Sequence, residues 1–233
     1  MLISVVIPTR NEESSIGLVL KEIKDTFEKH NKTSSEKLEF EVLIVDRSED
    51  KTPEIAKNFG ATVINEPRKG YGRAYKTGLP KANGEIIVTL DGDFTYPATI
   101  IPELVKKIQN ENIDFINCDR LTTLKKGVMS FKHRFGNRVL CMTTNFLFGM
   151  KIRDSQTGMW CFKKKIIESL NLETFSDGMP FSEEIKVKVF RKGFRFVEIP
   201  IDYRLRVGEA KIQSFRDGLK VLFFLFKLRF QKV

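Results

Sequence analysis

The sequence predicts an α/β fold with a mostly parallel central sheet, on three observations. Four short β-branched runs, at residues 2–8, 41–45, 61–65 and 86–90, are separated by stretches whose apolar residues recur at helical spacing. That alternation is complete by residue 93, which suits parallel strands joined by crossover helices and covered on both faces. Asp46 directly follows the run 41–45, and Asp91 with Asp93 follows the run 86–90. Ligands of such sheets bind beyond the carboxyl ends of the strands.

Taken in order, Leu2 to Pro8 reads as a buried strand from its Ile and Val, and Pro8 stops it. Thr9 to Glu13 is a loop, after which Ser14 or Ser15 is placed to cap a helix carrying Ile16, Val19, Leu20, Ile23 and Phe27 on one face. Polar residues from His30 to Glu39 punctuate this first βα unit. Glu41 to Val45 is the second strand; Asp50 or Thr52 opens a helix through Phe59, with Gly60 as its terminator. Ala61 to Asn65 is the third strand. A loop, EPRKGYGRA, leads to a short helix from Ala74 to Ala82, and Gly84 closes it before the strand Ile86 to Leu90. Farther on, the pattern predicts a helix over 98–110, a strand over 114–118, a helix over 182–192 and a strand over 194–199.

At 233 residues the chain is read as one catalytic domain over 1–214, with an inserted segment at 126–151 and a terminal amphipathic helix at 215–233. Lys and Arg total 40 against 30 Asp and Glu, so the surface should attract anions such as nucleic acid, anionic lipid or phosphorylated substrates. The aromatic set, 20 Phe against 4 Tyr and 1 Trp, leans toward lipid rather than toward stacking on bases. Cys118, Cys141 and Cys161 are odd in number and lack metal-site spacing, which argues against a disulfide framework or zinc and for a reducing, cytoplasmic compartment. The opening MLISVVIPTRNEE reads as a core strand rather than a cleaved leader.

Asp91-Gly92-Asp93 places two carboxylates at a strand tip with a flexible residue between them. That arrangement suits a hard divalent cation that also holds phosphate oxygens, whereas an isolated Asp-Gly-Asp is also an ordinary acidic turn. Asp46 is placed either to accept hydrogen bonds from a ribose or base edge or to cap the next helix. Lys69-Gly70-Tyr71-Gly72-Arg73-Ala74 has the small residues and basic flanks of a phosphate-approaching loop, but it is not GxGxxG and does not follow the first strand, so a dinucleotide fingerprint is excluded. His133 reads as a solvated or core histidine.

The ordered set VVIPTRNEE, VDRSEDKT, KGYGRAYKTG, the strand ending DGD, RDSQTGMWCF and YRLRVGEAKI resembles the family 2 glycosyltransferases of the A-type nucleotide-sugar fold. Within them it is most similar to dolichol-phosphate mannose synthases and their glucosyl and bacterial polyprenyl relatives, over roughly residues 1–214. The resemblance implies that Pro8, Arg10, Glu12, Val45 and Asp46 line a nucleoside pocket beside Lys69, Gly70 and Ala74. It further implies that Asp91 and Asp93, around Gly92, hold Mg2+ or Mn2+ on the diphosphate, with Thr95 where relatives carry a Gln ligand. Arg206 and Lys211 would clamp the donor diphosphate, Glu183 would lie near the sugar, and Arg120, Arg134 and Arg138 would hold a lipid-borne phosphate. Asp154 is the prominent carboxylate of the segment closing over sugar and acceptor. A phosphomonoester, with a second pKa near ~6, is already largely anionic at neutral pH and needs no general base, so Asp154 is assigned to positioning the sugar or organising its loop. The chain departs from the family with Arg47-Ser48 after Asp46, and with Ala210 where a Ser is frequent.

Residues 126–151 mix Phe131, Phe135, Leu140, Phe146, Leu147 and Phe148 with Lys132, His133, Arg134 and Arg138, as either a buried helical pair or a helix lying in a membrane interface. Arg134 and Arg138 share one helix face. The terminal helix puts Arg216, Lys220 and Lys227 opposite Leu219, Leu222, Phe226, Leu228 and Phe230, and its uncharged run over 221–226 is far short of the roughly 20 residues that cross a bilayer. The resulting expectation is a peripheral enzyme on the cytoplasmic face of the membrane. It would transfer a hexose to dolichyl or polyprenyl phosphate, from GDP-mannose first and UDP-glucose second, with room for a separate membrane-protein partner. Two rivals stand beside it. An enzyme acting on a polysaccharide or glycan acceptor would need Asp154 as a base, and a basic RNA-binding protein would leave the converging carboxylates unexplained.

Overall fold

The structure is a computed structural model that describes residues 1–208 and 214–231, the side chains of 214–217 excepted. In chain order the elements are β1 (Leu2–Thr9), α1 (Ile16–Thr33), β2 (Glu39–Asp46), α2 (Thr52–Asn58), β3 (Thr62–Asn65), α3 (Tyr71–Gly78) and β4 (Ile86–Thr89). There follow α4 (Ile101–Asn110), β5 (Phe115–Asp119), α5 (Phe131–Phe148), β6 (Trp160–Lys163), α6 (Lys165–Glu168), α7 (Phe181–Arg191), β7 (Phe196–Pro200) and α8 (Ser214–Arg229). The expected βα alternation is present from β1 to β4. The sequence reading assigns no strand at β6, which begins inside the RDSQTGMWCF segment.

The seven strands form one sheet in the order β3-β2-β1-β4-β6-β5-β7. β6 runs antiparallel to both β4 and β5, while the β1–β2, β1–β4, β2–β3 and β5–β7 pairs are parallel. Six strands therefore point one way, and their carboxyl ends face a common rim. Both faces of the sheet are covered by apolar side chains. Ile3, Val5, Ile7, Ile44 and Val88 pack under α1 and α4, and Val6, Leu43, Val45, Ile87, Trp160 and Phe162 pack under α3 and α7. This double burial explains why the strands read as continuous runs rather than alternating ones. α5 and α8 lean on each other through Leu140, Val221 and Leu225, at one side of the sheet.

α3 approaches the chain at 176–178 so closely that only glycine fits. A Cβ on Gly72 would lie 2.2 Å from the Ser176 carbonyl oxygen and 2.6 Å from Phe181 Cβ. Gly72→Ala should lower the free energy of urea unfolding by the ~1–3 kcal/mol typical of overpacking; an unchanged value would show that the two segments part without cost.

Candidate active site

The rim is built where β1, β2 and β4 end. Thr9 pairs in register with Asp46, and the Thr9 hydroxyl donates to Asp46 Oδ1 at 2.7 Å. Ser48 donates to the same carboxylate through its hydroxyl, at 2.6 Å, and its backbone N–H, at 3.1 Å. Asp46 does not cap α2, whose N-cap is Lys51; Asp50, just before it, accepts from the Thr52 N–H and hydroxyl. A Cβ on Gly92 would touch Thr9 Cγ2 at 3.0 Å and Glu12 Cγ at 3.4 Å, so Asp46 and the Asp91–Asp93 turn occupy one edge of the sheet.

The turn is held from several sides. Ser15, the N-cap of α1, accepts no capping bond from its own helix, and its hydroxyl instead donates to the Gly92 carbonyl at 2.7 Å. Asp93 is buried, and its Oδ1 accepts from the Thr95 N–H at 3.1 Å and the Thr95 hydroxyl at 2.6 Å. Its Oδ2 accepts from Arg206 Nη1 at 2.8 Å, while Nη2 of the same guanidinium reaches Glu12 Oε1 at 2.7 Å. Phe94 takes φ +66°, a costly conformation for a bulky residue. The 204–207 segment fixes it in place: Arg204 N–H donates to Thr95 O, Val207 N–H donates to Asp93 O, and the Arg204 guanidinium lies 5.0 Å from the Phe94 ring centre.

Asp91 faces Gly158, whose missing side chain leaves room for the carboxylate: a Cβ there would come within 3.1 Å of Oδ1 and 2.7 Å of the Tyr71 hydroxyl. Burial, and next the charge of Asp93, push the Asp91 carboxyl up to about 7 against the pull of Arg120 and Arg206. Among the described residues no group of three or more His, Cys, Asp or Glu is arranged to hold a metal ion. Two hard carboxylates nevertheless fit Mg2+ or Mn2+, which keep waters and complete their shells with substrate phosphates. The guanidinium already lying between Asp93 and Glu12 shows that the turn calls for positive charge. Thr95 donates its hydroxyl to Asp93, so its expected place as a ligand becomes a supporting one.

Other expected residues fall at varied distances from this rim. Pro8 is half-buried and Arg10 exposed beside it. The Val45 side chain points into the core, against the position of a Cβ on Gly78, and corrects the expectation that it lines the pocket. Lys69 is exposed, and Gly70 has φ +146° with no space for a side chain beside the Asp177 carbonyl; Ala74 packs against the core. Arg134 and Arg138 are exposed on the first half of α5. Lys211 and Ala210 lie outside the described residues.

Arg120 and Asp154 find each other. The Arg120 guanidinium donates to Asp154 through Nε at 2.7 Å and Nη2 at 2.9 Å, its backbone N–H adds a third bond at 3.0 Å, and both residues are buried. An arginine committed in this way is not a free acceptor clamp, and a carboxylate with no exposure is not placed to take a proton from an acceptor. Glu183 is likewise fully buried, accepting from Gln156 and, at 3.3 Å, from the Thr144 hydroxyl of α5. Burial pushes its carboxyl up, and the same effect pushes the neighbouring Lys186 ammonium down. Lys186 donates to the Ser155 and Thr157 carbonyls, which anchors the 154–158 segment to α7.

Residues 4–170 match the model of glycosyl transferase family 2. The chain belongs to that family. This family 2 glycosyltransferase is 32% identical over 221 residues to a dolichyl-phosphate hexose transferase of Haloferax volcanii, covering 94% of this chain and 90% of the relative. It is 33% identical to the low-salt glycan biosynthesis hexosyltransferase Agl6 of the same organism, covering 96% of this chain but only 52% of that longer protein. Its fold is that of the A-type glycosyltransferases. It superposes on glucosyl-3-phosphoglycerate synthase from Mycobacterium tuberculosis, solved with Mn2+, UDP and glucosyl-3-phosphoglycerate, with a TM-score of 0.77 at 20% identity, over 99% of this chain and 81% of the other.

Sequence reasoning gives no role in this glycosyltransferase to Gly158 or Tyr96, and reads Ser15 only as a possible helix cap. The Tyr96 hydroxyl accepts from the Gly158 N–H at 2.7 Å, and the Thr89 hydroxyl donates to the Gly158 carbonyl at 2.7 Å, so the end of β4 and the turn after it grip the glycine opposite Asp91 from both sides. Tyr96 closes the same run, DGDFTY, that carries the carboxylates, and that adjacency was the available signal. Burial opposes ionisation of Asp154, yet Arg120 holds its carboxyl below the ordinary value. The stability it contributes is therefore present above the unfolded pKa of about 3.9 and lost as pH falls through the depressed folded value. Asp154→Asn should cost ~3–5 kcal/mol in urea unfolding at neutral pH, while the Arg120→Met/Asp154→Leu double variant recovers much of it. A loss under ~1 kcal/mol for the single variant would mean that Arg120 is not buried as described.

Proposed function

We propose that this glycosyltransferase moves a hexose from a nucleotide sugar to dolichyl or another polyprenyl phosphate at a membrane surface, with mannose from GDP-mannose as the first donor and UDP-glucose as the second. The observation that carries the reading is the shared rim, where the carboxylate of Asp46 stands beside the Asp91–Asp93 turn and the guanidinium of Arg206 that bridges Asp93 and Glu12. The dolichyl-phosphate hexose transferase of H. volcanii, matched over nearly its whole length, supports the acceptor. The UDP and Mn2+ or Mg2+ bound by structural neighbours support a donor diphosphate and a divalent ion.

A lipid phosphate oxygen attacks the anomeric carbon as the bond from that carbon to the diphosphate breaks, and the nucleoside diphosphate leaves from the opposite face with inversion. Bound between Asp91 and Asp93, Mg2+ or Mn2+ would neutralise charge on the departing diphosphate. Asp46 orients the nucleoside, and Arg206 moves from the carboxylates to the leaving group, where its planar fork meets phosphate oxygens. Arg134 and Arg138, one turn apart and exposed on α5, meet the acceptor phosphate. The acceptor is already anionic, which is consistent with the burial of Asp154. Asp154 and Arg120 position the 154–158 segment.

The membrane reading rests on the outer surface of the α5/α8 pair. Phe131, Phe135, Met142 and Phe146 recur at helical spacing and are exposed along α5, with Phe146 87% accessible. Leu219, Phe223, Phe226 and Phe230 do the same along and just past α8, with Phe230 88% accessible. Lys132, Arg134 and Arg138 flank the first stripe, and Lys220, Lys227 and Arg229 the second. Exposed aromatics interleaved with cations match an anionic lipid surface, and no helix among the described residues is long and apolar enough to cross it. The catalytic rim is then held at the cytoplasmic face.

In a thermal-shift screen with Mn2+, one of GDP-mannose and UDP-glucose should raise the melting temperature in a cation-dependent manner. Asp91→Asn or Asp93→Asn should remove that shift and lower hexose transfer to dolichyl phosphate by roughly 10²–10³-fold. Absence of a shift with every nucleotide sugar would overturn the assignment. On the membrane side, Phe146→Asp with Phe230→Asp should abolish cosedimentation with vesicles containing anionic lipid while leaving the melting temperature within a few degrees of the parent; undiminished cosedimentation would contradict the α5/α8 surface.

A further inference from the structure

We infer that Arg206 acts as an internal counter-ion that occupies the cation's place at the Asp93 carboxylate until a diphosphate draws it away, so that divalent ion and nucleotide bind interdependently. The inference rests on the metal and nucleotide site proposed above and adds how its filling is ordered.

Both oxygens of Asp93 are engaged: Oδ1 takes the two Thr95 donors, and Oδ2 takes Arg206 Nη1 at 2.8 Å. The second guanidinium nitrogen, Nη2, is held by Glu12 at 2.7 Å, so the fork spans two carboxylates that are otherwise brought together by the β1 loop and the β4 turn. A divalent ion bound to Asp93 Oδ2 would sit at about 2.0–2.6 Å from that oxygen, which puts it against the guanidinium, charge on like charge. The ion and the arginine therefore compete for one oxygen.

Arg206 also has somewhere to go. Its Nε is buried and finds no hydrogen-bond partner among the described residues, so the resting pose leaves one donor unsatisfied. Among the described residues, the backbone that carries it is bonded to the backbone of the turn through the Val207 N–H to the Asp93 carbonyl and the Arg204 N–H to the Thr95 carbonyl. Neither bond fixes the side chain. A diphosphate supplies several anionic oxygens at fork spacing, and once the arginine turns to them, Asp93 Oδ2 is released to the ion. Linkage then requires that whatever the nucleotide does for ion affinity, the ion does equally for nucleotide affinity.

The test is Mn2+ binding to the full chain by electron paramagnetic resonance, with and without GDP or UDP, for the parent, Arg206→Gln and Arg206→Lys, each first shown by circular dichroism to be folded. Without nucleotide, Arg206→Gln should bind Mn2+ roughly tenfold more tightly than the parent, a change within the ~5–150-fold range of linked ligands, and nucleotide should improve its ion affinity far less than it does the parent's. Arg206→Lys, which keeps the charge but not the fork, should fall between them. Nucleotide-free ion affinity that is unchanged or weaker in Arg206→Gln would overturn the inference while leaving the metal site standing. Failure of the parent to bind Mn2+ at Asp91 and Asp93 even with nucleotide, judged by no loss in Asp93→Asn, would overturn the site and the inference with it.

Discussion

Two carboxylates held next to each other beyond the end of a buried strand repel one another and lose their hydration, and the surrounding structure is arranged around that constraint. Asp91 responds by holding its proton up to about 7, and Asp93 by drawing four bonds from Thr95 and Arg206 and, through the backbone, Val207. Phe94 keeps a left-handed backbone between these anchors. Such strain is stored where the turn must present its charge in one geometry. Ser15 is turned away from capping its own helix to hold the middle of the same turn.

The second supporting layer is the 154–158 segment. It carries charge of both signs inward: Asp154 meets Arg120, and the buried Lys186 ammonium meets the Ser155 and Thr157 carbonyls. Its end, Gly158, lies flat against Asp91 because nothing larger fits between that carboxylate and Tyr71. The ion pair and the buried lysine thus set the wall opposite the Asp91–Asp93 turn. Glu183, reached by the Thr144 hydroxyl of α5, joins this wall to the helix that carries Arg134 and Arg138.

Much of this was legible in the sequence. The β-branched runs and their helical spacers specify β1 to β4, because double burial writes itself as unbroken Ile and Val, and strand ends marked by Asp46 and Asp91 locate the rim. Less was legible where long-range partners decide. Nothing local in RDSQTGMWCF distinguishes a loop from β6, which is a strand only because β4 and β5 leave a gap that an antiparallel segment fills. Arg120 reads as an acceptor clamp and Asp154 as a carboxylate that positions the sugar or organises its loop, and their pairing is not legible, since a charge far from its partner in sequence gives no sign of being neutralised inside the fold. Val45 and Asp46 differ by one position and so point to opposite sides, one into the core and one toward Thr9. Thr95 kept its expected neighbourhood but supports Asp93.

The central claim is that Asp91 and Asp93 together hold a divalent ion on a donor diphosphate at this rim. Anomalous scattering from Mn2+ in crystals grown with a nucleoside diphosphate tests it most directly. The account predicts one peak within coordination distance of both carboxylates and of the diphosphate, with the Arg206 guanidinium turned onto phosphate oxygens. A diphosphate bound with no Mn2+ at those carboxylates, or with Arg206 still bridging Asp93 and Glu12, would contradict it.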